Sequence, residues 1–249
     1  MDAYSTWANE LNQSFYAEVA DTFDATRKIP WQGWDELIPA LDELYTRLRE
    51  DESLKVLDLA CGNFRFERWL CQSGFSRVDA LGIDTSDCLA AMPPKDSSYL
   101  RRDVLTLSKK DELPKVHLAV CFGFMHHVPH EQLRLKIMHT MAEQVRPEGL
   151  MALSFWQFLN DERLSKKAVD TTRRYLIRHP EHKLAHPRDY LLTWQHQDTL
   201  RFCHAFTKDE VGSLCSAFLS QHPNFTLQEA YEAEGATQNL NAYVIFKRA

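Results

Sequence analysis

The chain has 249 residues, 44% of them apolar and 26% charged, which is the size and balance of an ordinary globular protein. No apolar run approaches the roughly 18 residues that a membrane-spanning helix needs, so an integral membrane protein is excluded. The first residues show neither the basic nor the apolar region of a secretory signal, and the six cysteines form no C-x-x-C pair. We therefore expect a cytoplasmic protein with reduced thiols and no membrane partner.

Charge is unevenly distributed along the sequence. The net charge of −6 disfavours general affinity for nucleic acid, yet residues 163–188 carry eight Lys and Arg against two Asp and Glu. A run of this kind is either a solvated helix face or a landing surface for an anionic substrate, and both interpretations stay open from the sequence.

Strand-like and helix-like segments alternate through the middle of the chain. Residues 5–50 are predicted to be helical and precede the sheet. A helix is predicted at residues 131–145, where apolar side chains recur every fourth position. The predicted strands are residues 55–60, 78–84, 99–103, 117–123 and 150–156. This alternation is typical of a parallel α/β sheet.

The end of the chain predicts a different connectivity. Thr207 to Glu210 have the form of a capping box, which predicts a helix that continues to Leu219. Two strands, residues 225–234 and 242–247, follow with only a polar turn between them, and such neighbours pair antiparallel. We therefore predict a Rossmann-like α/β fold whose mostly parallel sheet ends in an antiparallel hairpin, with N-terminal helices and a helical insertion after the fifth strand.

No linker-like stretch interrupts the chain, so we expect one domain over residues 1–249. Its four parts have different expected roles. They are an N-terminal helical segment (residues 1–52), a cofactor-binding core (residues 53–156), an insertion on the substrate side (residues 157–206) and a C-terminal helix and hairpin (residues 207–249).

The most informative stretch is residues 56–70, VLDLACGNFRFERWL, in which a strand enters a tight turn at Gly62 and then a helix. This is where a Rossmann-type sheet holds an adenosine cofactor. A dinucleotide site would need G-x-G-x-x-G to hold a pyrophosphate, but only Gly62 is present and the Asp58 carboxylate would repel one. Asp58 instead suits a cofactor with a cationic amino-acid moiety, such as S-adenosylmethionine. The alternative is a strand–turn–helix unit with no ligand.

Acidic side chains end the next two predicted strands as well. Asp84 lies 22 residues after Gly62, where an acid can reach ribose hydroxyls, although together with Thr85 it could simply cap the following helix. Asp103 could accept a hydrogen bond from the adenine amino group while the Val104 amide binds a ring nitrogen, or it could be a turn residue. Three successive strand ends that each carry an acid favour the cofactor interpretation.

At these residues the sequence resembles a known family. Residues 58–65, DLACGNFR, are similar to motif I of the class I methyltransferases, D-x-G-x-G-x-G, with Ala60 at the first glycine and Phe64 at the third. We expect this turn, Ala60 included, to bind S-adenosylmethionine, and we add Phe122 at the end of the fourth predicted strand to the cofactor-binding candidates. The Phe64 ring is expected to line the cofactor pocket without blocking it.

A narrower resemblance, to the tRNA wobble-uridine carboxyl methyltransferases, extends over nearly the whole chain. The similar elements are FY…A…F…TRKIPW in residues 15–31, the histidine pair at residues 126–127, RDYLLTW in residues 188–194, RFCHAF in residues 201–206 and NAYVI in residues 241–245. The resemblance implies a tRNA substrate that carries a carboxylate, and a small activating protein partner could be required. Arg27 and Trp31, in the first element, join the cofactor-binding candidates.

The expected chemistry follows from the acceptor. A carboxylate is ionised at neutral pH and needs no base, but it needs a cation that positions it. Arg188 and Arg201 are the candidates, unless they are ordinary surface arginines. A hydroxyl or amine acceptor would need a base, for which His127 is placed, although it could also bind substrate or shape the loop. A metal on residues 126, 127 and 130 lacks a convincing further ligand, so we expect no metal site.

Three functions therefore stay open. They are an RNA-modifying methyltransferase, a small-molecule O- or N-methyltransferase that takes an anionic substrate, and a binding protein that has lost catalysis, which Ala60 and Phe64 would explain. A dehydrogenase is disfavoured by the missing glycines. The basic run favours RNA, whereas the overall acidity favours a small molecule or a partner that supplies RNA contacts.

Overall fold

A computed structural model describes residues 1–26, 28–87, 93–195 and 198–249. Helices and strands alternate as the sequence predicts. In chain order they are α1 (Ala3–Thr26), α2 (Ile38–Thr46), β1 (Leu54–Leu59), α3 (Arg65–Gln72), β2 (Val78–Asp84), β3 (Ser97–Arg101), β4 (Val116–Cys121), α4 (Glu131–Gln144), β5 (Val145–Trp156), α5 (Glu162–Arg178), β6 (Asp189–Thr193), β7 (Leu200–His204), α6 (Lys208–Gln221), β8 (Phe225–Ala233) and β9 (Asn241–Arg248).

A seven-stranded sheet forms the centre of the molecule. Its strand order is β3–β2–β1–β4–β5–β9–β8, with parallel pairs from β3 to β5 and antiparallel pairs from β5 to β8. The predicted mostly parallel sheet with a C-terminal antiparallel hairpin is confirmed. The strand order reverses between β1 and β4: β2 and β3 lie on one side of β1, and β4 and β5 on the other. Open α/β sheets bind ligands at such a switch point.

Side chains alternate between the two faces of the sheet, as the period of two in a strand requires. Leu57 and Leu59 of β1 pack with α4 and α6 in one core. Val56 of the same strand packs with α2 and α3 in the other. Helices cover both faces of the sheet, so β1 is buried along almost its whole length. This explains why its residues are apolar except for Lys55 and Asp58.

The insertion is helical only in its first half. After α5, the strands β6 and β7 pair antiparallel in a separate two-stranded sheet, which corrects our expectation of a helical insertion. Each strand has only five residues, too few for periodicity to distinguish a strand from a loop. Leu191 and Phe202 of this hairpin pack on Ala8 of α1, so the insertion and the N-terminal helix meet above the sheet.

Smaller differences concern the boundaries of elements. The fifth strand begins at Val145 instead of residue 150, directly where α4 ends. Among the described residues, no helix has the combination of length and apolarity that crossing a lipid bilayer would require. The division of the chain into four functional parts stays a prediction.

Candidate active site

A cavity of about 650 Å³ lies at the carboxyl ends of the parallel strands. Its size is that of a small-molecule site. The ends of all five parallel strands reach it, from Asp58 near the end of β1 to Trp156 at the end of β5. Side chains of α1, α5 and the β6–β7 hairpin form the opposite wall, so the N-terminal helix and the insertion cover the edge of the sheet.

The turn after β1 keeps an unusual backbone. Ala60, Gly62 and Phe64 have φ angles of 63°, 53° and 57°, all in the left-handed region. These are the three glycine positions of the motif that the sequence resembles. The conformation costs a residue other than glycine about 1–2 kcal/mol. The chain therefore builds the glycine turn with one glycine, and contacts elsewhere must stabilise it.

The side chain of Phe64 makes some of these contacts. Contrary to our expectation, it does not line the cavity. Its ring is fully buried beneath the turn, beside Cys61 and edge-on to Tyr99. A Cβ atom on Gly82 of β2 would lie 2.5 Å from Cε1 of Phe64. The glycine in β2 thus leaves the space that the ring fills, which is why a large side chain at the third glycine position does not obstruct the cavity.

We predict that Gly82→Ala lowers the free energy of unfolding by about 1–3 kcal/mol, because the added methyl group overlaps with the Phe64 ring. Urea denaturation measures the loss. In the Phe64→Leu background the same substitution is expected to cost less, since the smaller side chain accepts the methyl group. Equal costs in the two backgrounds would show that the ring does not determine the need for glycine.

The Asp84 carboxylate connects two turns at the cavity wall. One oxygen accepts a hydrogen bond from the Gly62 amide at 3.0 Å and the other from the Ser86 amide at 3.0 Å. Burial raises the pKa of Asp84, and these backbone amides oppose that effect. Thr85 lines the cavity next to it. A Cβ atom on Gly62 would meet nothing within 4 Å, so there is open space beside the turn.

Asp103 is partly occupied by α1. Its Oδ2 accepts hydrogen bonds from Asn9 at 2.6 Å and Gln13 at 3.1 Å, and its Oδ1 accepts one from the Leu105 amide. Val104 lines the cavity beside it. Asp103 therefore fixes the N-terminal helix over this end of the site, a role that its position in the sequence did not reveal.

Asp58 is buried next to a second carboxyl group, Glu67 of α3, which we did not single out from the sequence. Burial first, and then the negative charge of Glu67, raise the pKa of Asp58 well above its ordinary value. Burial raises the pKa of Glu67 to about 7. Among the described residues, the Glu67 carboxyl has only the Asp58 carboxyl and its own backbone amide as hydrogen-bond partners. Two carboxyl groups in one dry site hold a proton between them at neutral pH.

We predict that Glu67→Gln removes part of the pH dependence of stability. The pKa of Glu67 is raised in the folded state from 4.5 to about 7, so the folded protein binds the proton more tightly and loses stability as the pH rises through that window. The variant should therefore gain up to about 3 kcal/mol over the wild type between pH 5 and pH 8. Urea denaturation at both pH values tests this, with the exposed Glu50→Gln as control. Parallel curves for wild type and Glu67→Gln would contradict it.

His127, in the turn after β4, is buried with both ring nitrogens occupied. Its Nδ1 lies 2.8 Å from the Phe202 carbonyl, which can only accept, so Nδ1 carries the proton. Its Nε2 then accepts from the Tyr16 hydroxyl at 2.8 Å. Burial, and then the positive charge of Arg201, lower the pKa of His127 to about 3. A ring of this kind positions Tyr16 and is unsuited to act as a general base at neutral pH.

Arg201 lies in β7 with only 6% of its surface exposed, and it lines the cavity. Its Nη1 donates to the Tyr16 hydroxyl at 3.3 Å, and its Cζ lies 5.2, 5.3 and 5.9 Å from the ring centroids of Phe15, Trp156 and Trp194. Among the described residues, no carboxylate pairs with it and its Nε has no hydrogen-bond partner. A buried charge without a counter-ion is costly, so this side chain indicates an anionic ligand.

The structure does not bring Arg188 to the cavity, contrary to the positioning role that we expected. Its Nε donates to the Ala205 carbonyl at 2.5 Å and its Nη2 to the Phe206 carbonyl at 3.4 Å. These bonds hold the segment between β7 and α6. The two arginines looked equivalent in the sequence because each lies in a family-like element.

Most of the other predicted site residues meet in this one cavity. Besides His127 and Arg201, its wall contains Trp31, Asp58, Ala60, Gly62, Asp84, Thr85, Asp103, Val104 and Phe122. Trp31 packs on the backbone of Gly123, where a Cβ atom would lie 2.8 Å from the ring. Arg27 lies outside the described residues. His130 is apart from the other histidines, 3.4 Å from Asp2.

The basic run divides into two groups. Arg163 and Lys167 of α5 line the cavity, whereas Arg173, Arg174 and Arg178 are exposed outside it. Their spacing of four residues places the first two on one helix face. That spacing was visible in the sequence, but the face that turns inward was not.

The cavity is electrically asymmetric. Asp58 lies near the end of β1, Asp84 is the last residue of β2 and Asp103 follows β3, while Arg163, Lys167 and Arg201 come from the insertion beyond β5. Arg65 of α3 and Glu234 also line the wall. Arg102 also reaches the wall, paired with Asp111 at 3.1 Å. The acidic half and the open space at Gly62 fit a cationic adenosine cofactor, and the basic half fits an anion.

Comparison with known proteins identifies the family of the chain. A family model described as a methyltransferase domain matches residues 34–218. No curated protein sequence matches the chain.

Similar solved structures share the fold. The DhpI–SAM–HEP complex is 16% identical over 100% of both chains, with a TM-score of 0.60. An S-adenosylmethionine-dependent methyltransferase from Methanosarcina mazei is 18% identical over 83% of this chain and 96% of its own, with a TM-score of 0.57. The N-methyltransferase NodS from Bradyrhizobium japonicum, in complex with S-adenosylhomocysteine, is 12% identical over 96% and 98%, with a TM-score of 0.57.

Proposed function

The chain belongs to the class I S-adenosylmethionine-dependent methyltransferases, and on that basis we propose that it methylates a carboxylate of an anionic acceptor. One observation carries the proposal. The guanidinium of Arg201 is buried in the cavity wall, and no carboxylate of the described residues neutralises it. An acceptor that brings a carboxylate to Arg201 would supply the missing counter-ion.

The acidic half of the cavity is the proposed cofactor side. S-adenosylmethionine, when bound, supplies an electrophilic methyl group and leaves as a neutral thioether. The buried Asp58–Glu67 pair places negative charge next to the turn, which favours a cationic ligand there. Asp84 keeps the turn in shape through the Gly62 amide and retains lone pairs for ribose hydroxyls.

The opposite half would position the acceptor. The Tyr16 hydroxyl donates to His127 and accepts from Arg201, so it holds the guanidinium in a defined position, and the remaining N–H groups of Arg201 would be the donors to the acceptor. Trp156 and Trp194 pack around Arg201 and exclude water, which strengthens its interaction with an anion. Because a carboxylate is already ionised, the protein does not have to move a proton, consistent with the low pKa of His127. Holding acceptor and methyl donor in line is then the main catalytic contribution.

A tRNA that carries the carboxylate is the second candidate. The exposed arginines of α5, Arg173, Arg174 and Arg178, favour it because they lie on the same helix that forms the acceptor wall. Cationic side chains outside the cavity would contact phosphates, and a small partner protein could extend that surface. We propose a cytoplasmic location for either candidate.

Transfer of labelled methyl groups tests the proposal. The protein is incubated with methyl-labelled S-adenosylmethionine and either total tRNA or an extract of small metabolites, and the products are treated with mild alkali. Methyl esters release methanol, whereas methyl ethers and methylamines are stable. Alkali-labile label among the small acids is the expected result, and alkali-labile label in tRNA would establish the second candidate. Alkali-stable label in either pool would contradict carboxylate methylation.

Salt dependence separates the two candidates further. If tRNA is the acceptor, its affinity should fall with salt, each lost phosphate contact in a single-stranded region reducing the log–log slope by roughly 0.7. Arg173→Ala together with Arg174→Ala should then give a smaller slope. The same pair of substitutions should not affect methylation of a small acid, because both side chains lie outside the cavity.

A further inference from the structure

We infer that Arg163 and Lys167 form a second anion site at the mouth of the cavity, so that the acceptor is a small organic acid with two anionic groups. The inference rests on the proposed function and narrows its substrate class. One group would be the reacting carboxylate at Arg201, and the other would be a carboxylate or phosphate-like group held by α5.

The position of the two side chains supports this second site. Arg163 and Lys167 are four residues apart on α5 and both line the cavity, together with Leu164 between them. Other cations of the same helix, such as Lys166 and Arg178, are exposed and do not line it. The helix therefore turns two of its cations toward the acceptor half and leaves the rest in solvent.

The charges of these side chains are not neutralised by the protein. Among the described residues, neither Arg163 nor Lys167 forms an ion pair. Burial first, and then the positive charges of Arg201 and Arg163, lower the pKa of Lys167, so the three cations act on one another. Like charges in a partly buried wall repel, and an anion between them relieves the repulsion. One carboxylate at Arg201 would leave the other two cations uncompensated.

A further acid in the cavity wall, Glu234, does not serve as their counter-ion. Glu234 lines the cavity, but its carboxylate accepts hydrogen bonds from the Gly33 amide at 2.7 Å, from Asn241 at 2.8 Å and from Tyr243 at 3.0 Å. Through these bonds the Glu234 carboxylate links the N-terminal segment to the C-terminal hairpin.

Depth distinguishes the two anion sites. Arg201 is buried in β7 next to Trp156 and Trp194, whereas Arg163 is exposed and Lys167 half-buried. The acceptor would therefore enter with its reacting carboxylate first and keep its second anionic group at the mouth. A monoanion would use only the inner site.

Calorimetry on the protein saturated with S-adenosylhomocysteine tests the inference. The probes are succinate, adipate and suberate, each compared at constant ionic strength with the monocarboxylate of the same length, namely butyrate, hexanoate and octanoate. At least one dicarboxylate is expected to bind about tenfold or more tightly than its monocarboxylate partner, as for a gained charge-assisted hydrogen bond. Arg163→Gln with Lys167→Gln should remove this advantage and leave monocarboxylate affinity within about twofold of wild type.

Two further variants make the outcome unambiguous. Lys166→Gln with Arg178→Gln removes the same charge from the outer faces of α5 and should preserve the advantage. Arg201→Gln should weaken every acid. If Arg201→Gln does so but the Arg163 and Lys167 substitutions do not reduce the dicarboxylate advantage, the second site is overturned while the proposed function stands. If the acids bind independently of Arg201, the proposed function fails. The second site is also overturned if no dicarboxylate binds more tightly than its monocarboxylate partner, or if none of the acids binds.

Discussion

Arg201→Gln is expected to reduce acceptor methylation by about 100-fold or more while cofactor affinity stays within about twofold. The substitution removes the only buried cation that faces the acceptor half among the described residues. A hydrogen-bonded charge pair in a water-poor site is worth about 1.5–3 kcal/mol, and loss of alignment adds to that. Initial rates with labelled cofactor, together with calorimetric cofactor binding, measure the two effects separately.

The same variant should not lose stability, and this distinguishes a ligand-binding arginine from a structural one. A buried charge without a counter-ion is itself destabilising, so replacing it by a neutral side chain should leave the free energy of unfolding unchanged or raise it. Arg201→Lys keeps the charge but not the planar stacking on Trp156 and Trp194, and should recover only part of the activity.

Arg188→Gln is the matched control. Arg188 holds the carbonyls of Ala205 and Phe206 and does not line the cavity. Its loss should lower stability by about 1–2 kcal/mol and leave methylation close to wild type. If Arg201→Gln instead unfolds the protein and Arg188→Gln abolishes turnover, the assignment of the two arginines is reversed.

The cofactor half of the site could be predicted from the sequence because its information is local. Asp58 and Asp84 each stand at the end of an apolar run, and parallel strands bring their carboxyl ends to one edge. No knowledge of packing was needed beyond the order of the strands. The turn at Gly62 was identified for the same reason, although Ala60 and Phe64 at two glycine positions also suggested a protein that has lost catalysis.

The remaining features depend on contacts between distant segments. Phe64 is harmless because Gly82, in the next strand, leaves room for its ring, and the sequence does not show that these two residues meet. Glu67 reads as an ordinary acid in the first turn of a helix until burial places it beside Asp58. The β6–β7 hairpin brings Arg201 to the cavity and leaves Arg188 outside it. The strands of this hairpin are too short for the sequence to predict them from periodicity.

Asp84→Ala is expected to weaken binding of S-adenosylhomocysteine by about 30- to 150-fold, which corresponds to about 2–3 kcal/mol for two hydrogen bonds to an anionic acceptor. Asp84 lines the cavity at the end of β2, and each of its oxygens already receives one backbone amide. Each oxygen can accept a further hydrogen bond, so the carboxylate can hold the turn and bind ribose hydroxyls together. Calorimetry measures the loss.

Part of that loss would come from the turn itself, since the substitution also frees the Gly62 amide. A cofactor analogue that lacks both ribose hydroxyls separates the two contributions. The wild type should bind this analogue less tightly than S-adenosylhomocysteine, whereas Asp84→Ala should hardly distinguish them, because the ribose interaction is already missing. Asp87→Ala, which removes an exposed acid of the same loop paired with Arg101, should discriminate as the wild type does. If Asp84→Ala still prefers the ribose, the carboxylate acts only through the turn, and the hydroxyls are bound by another group.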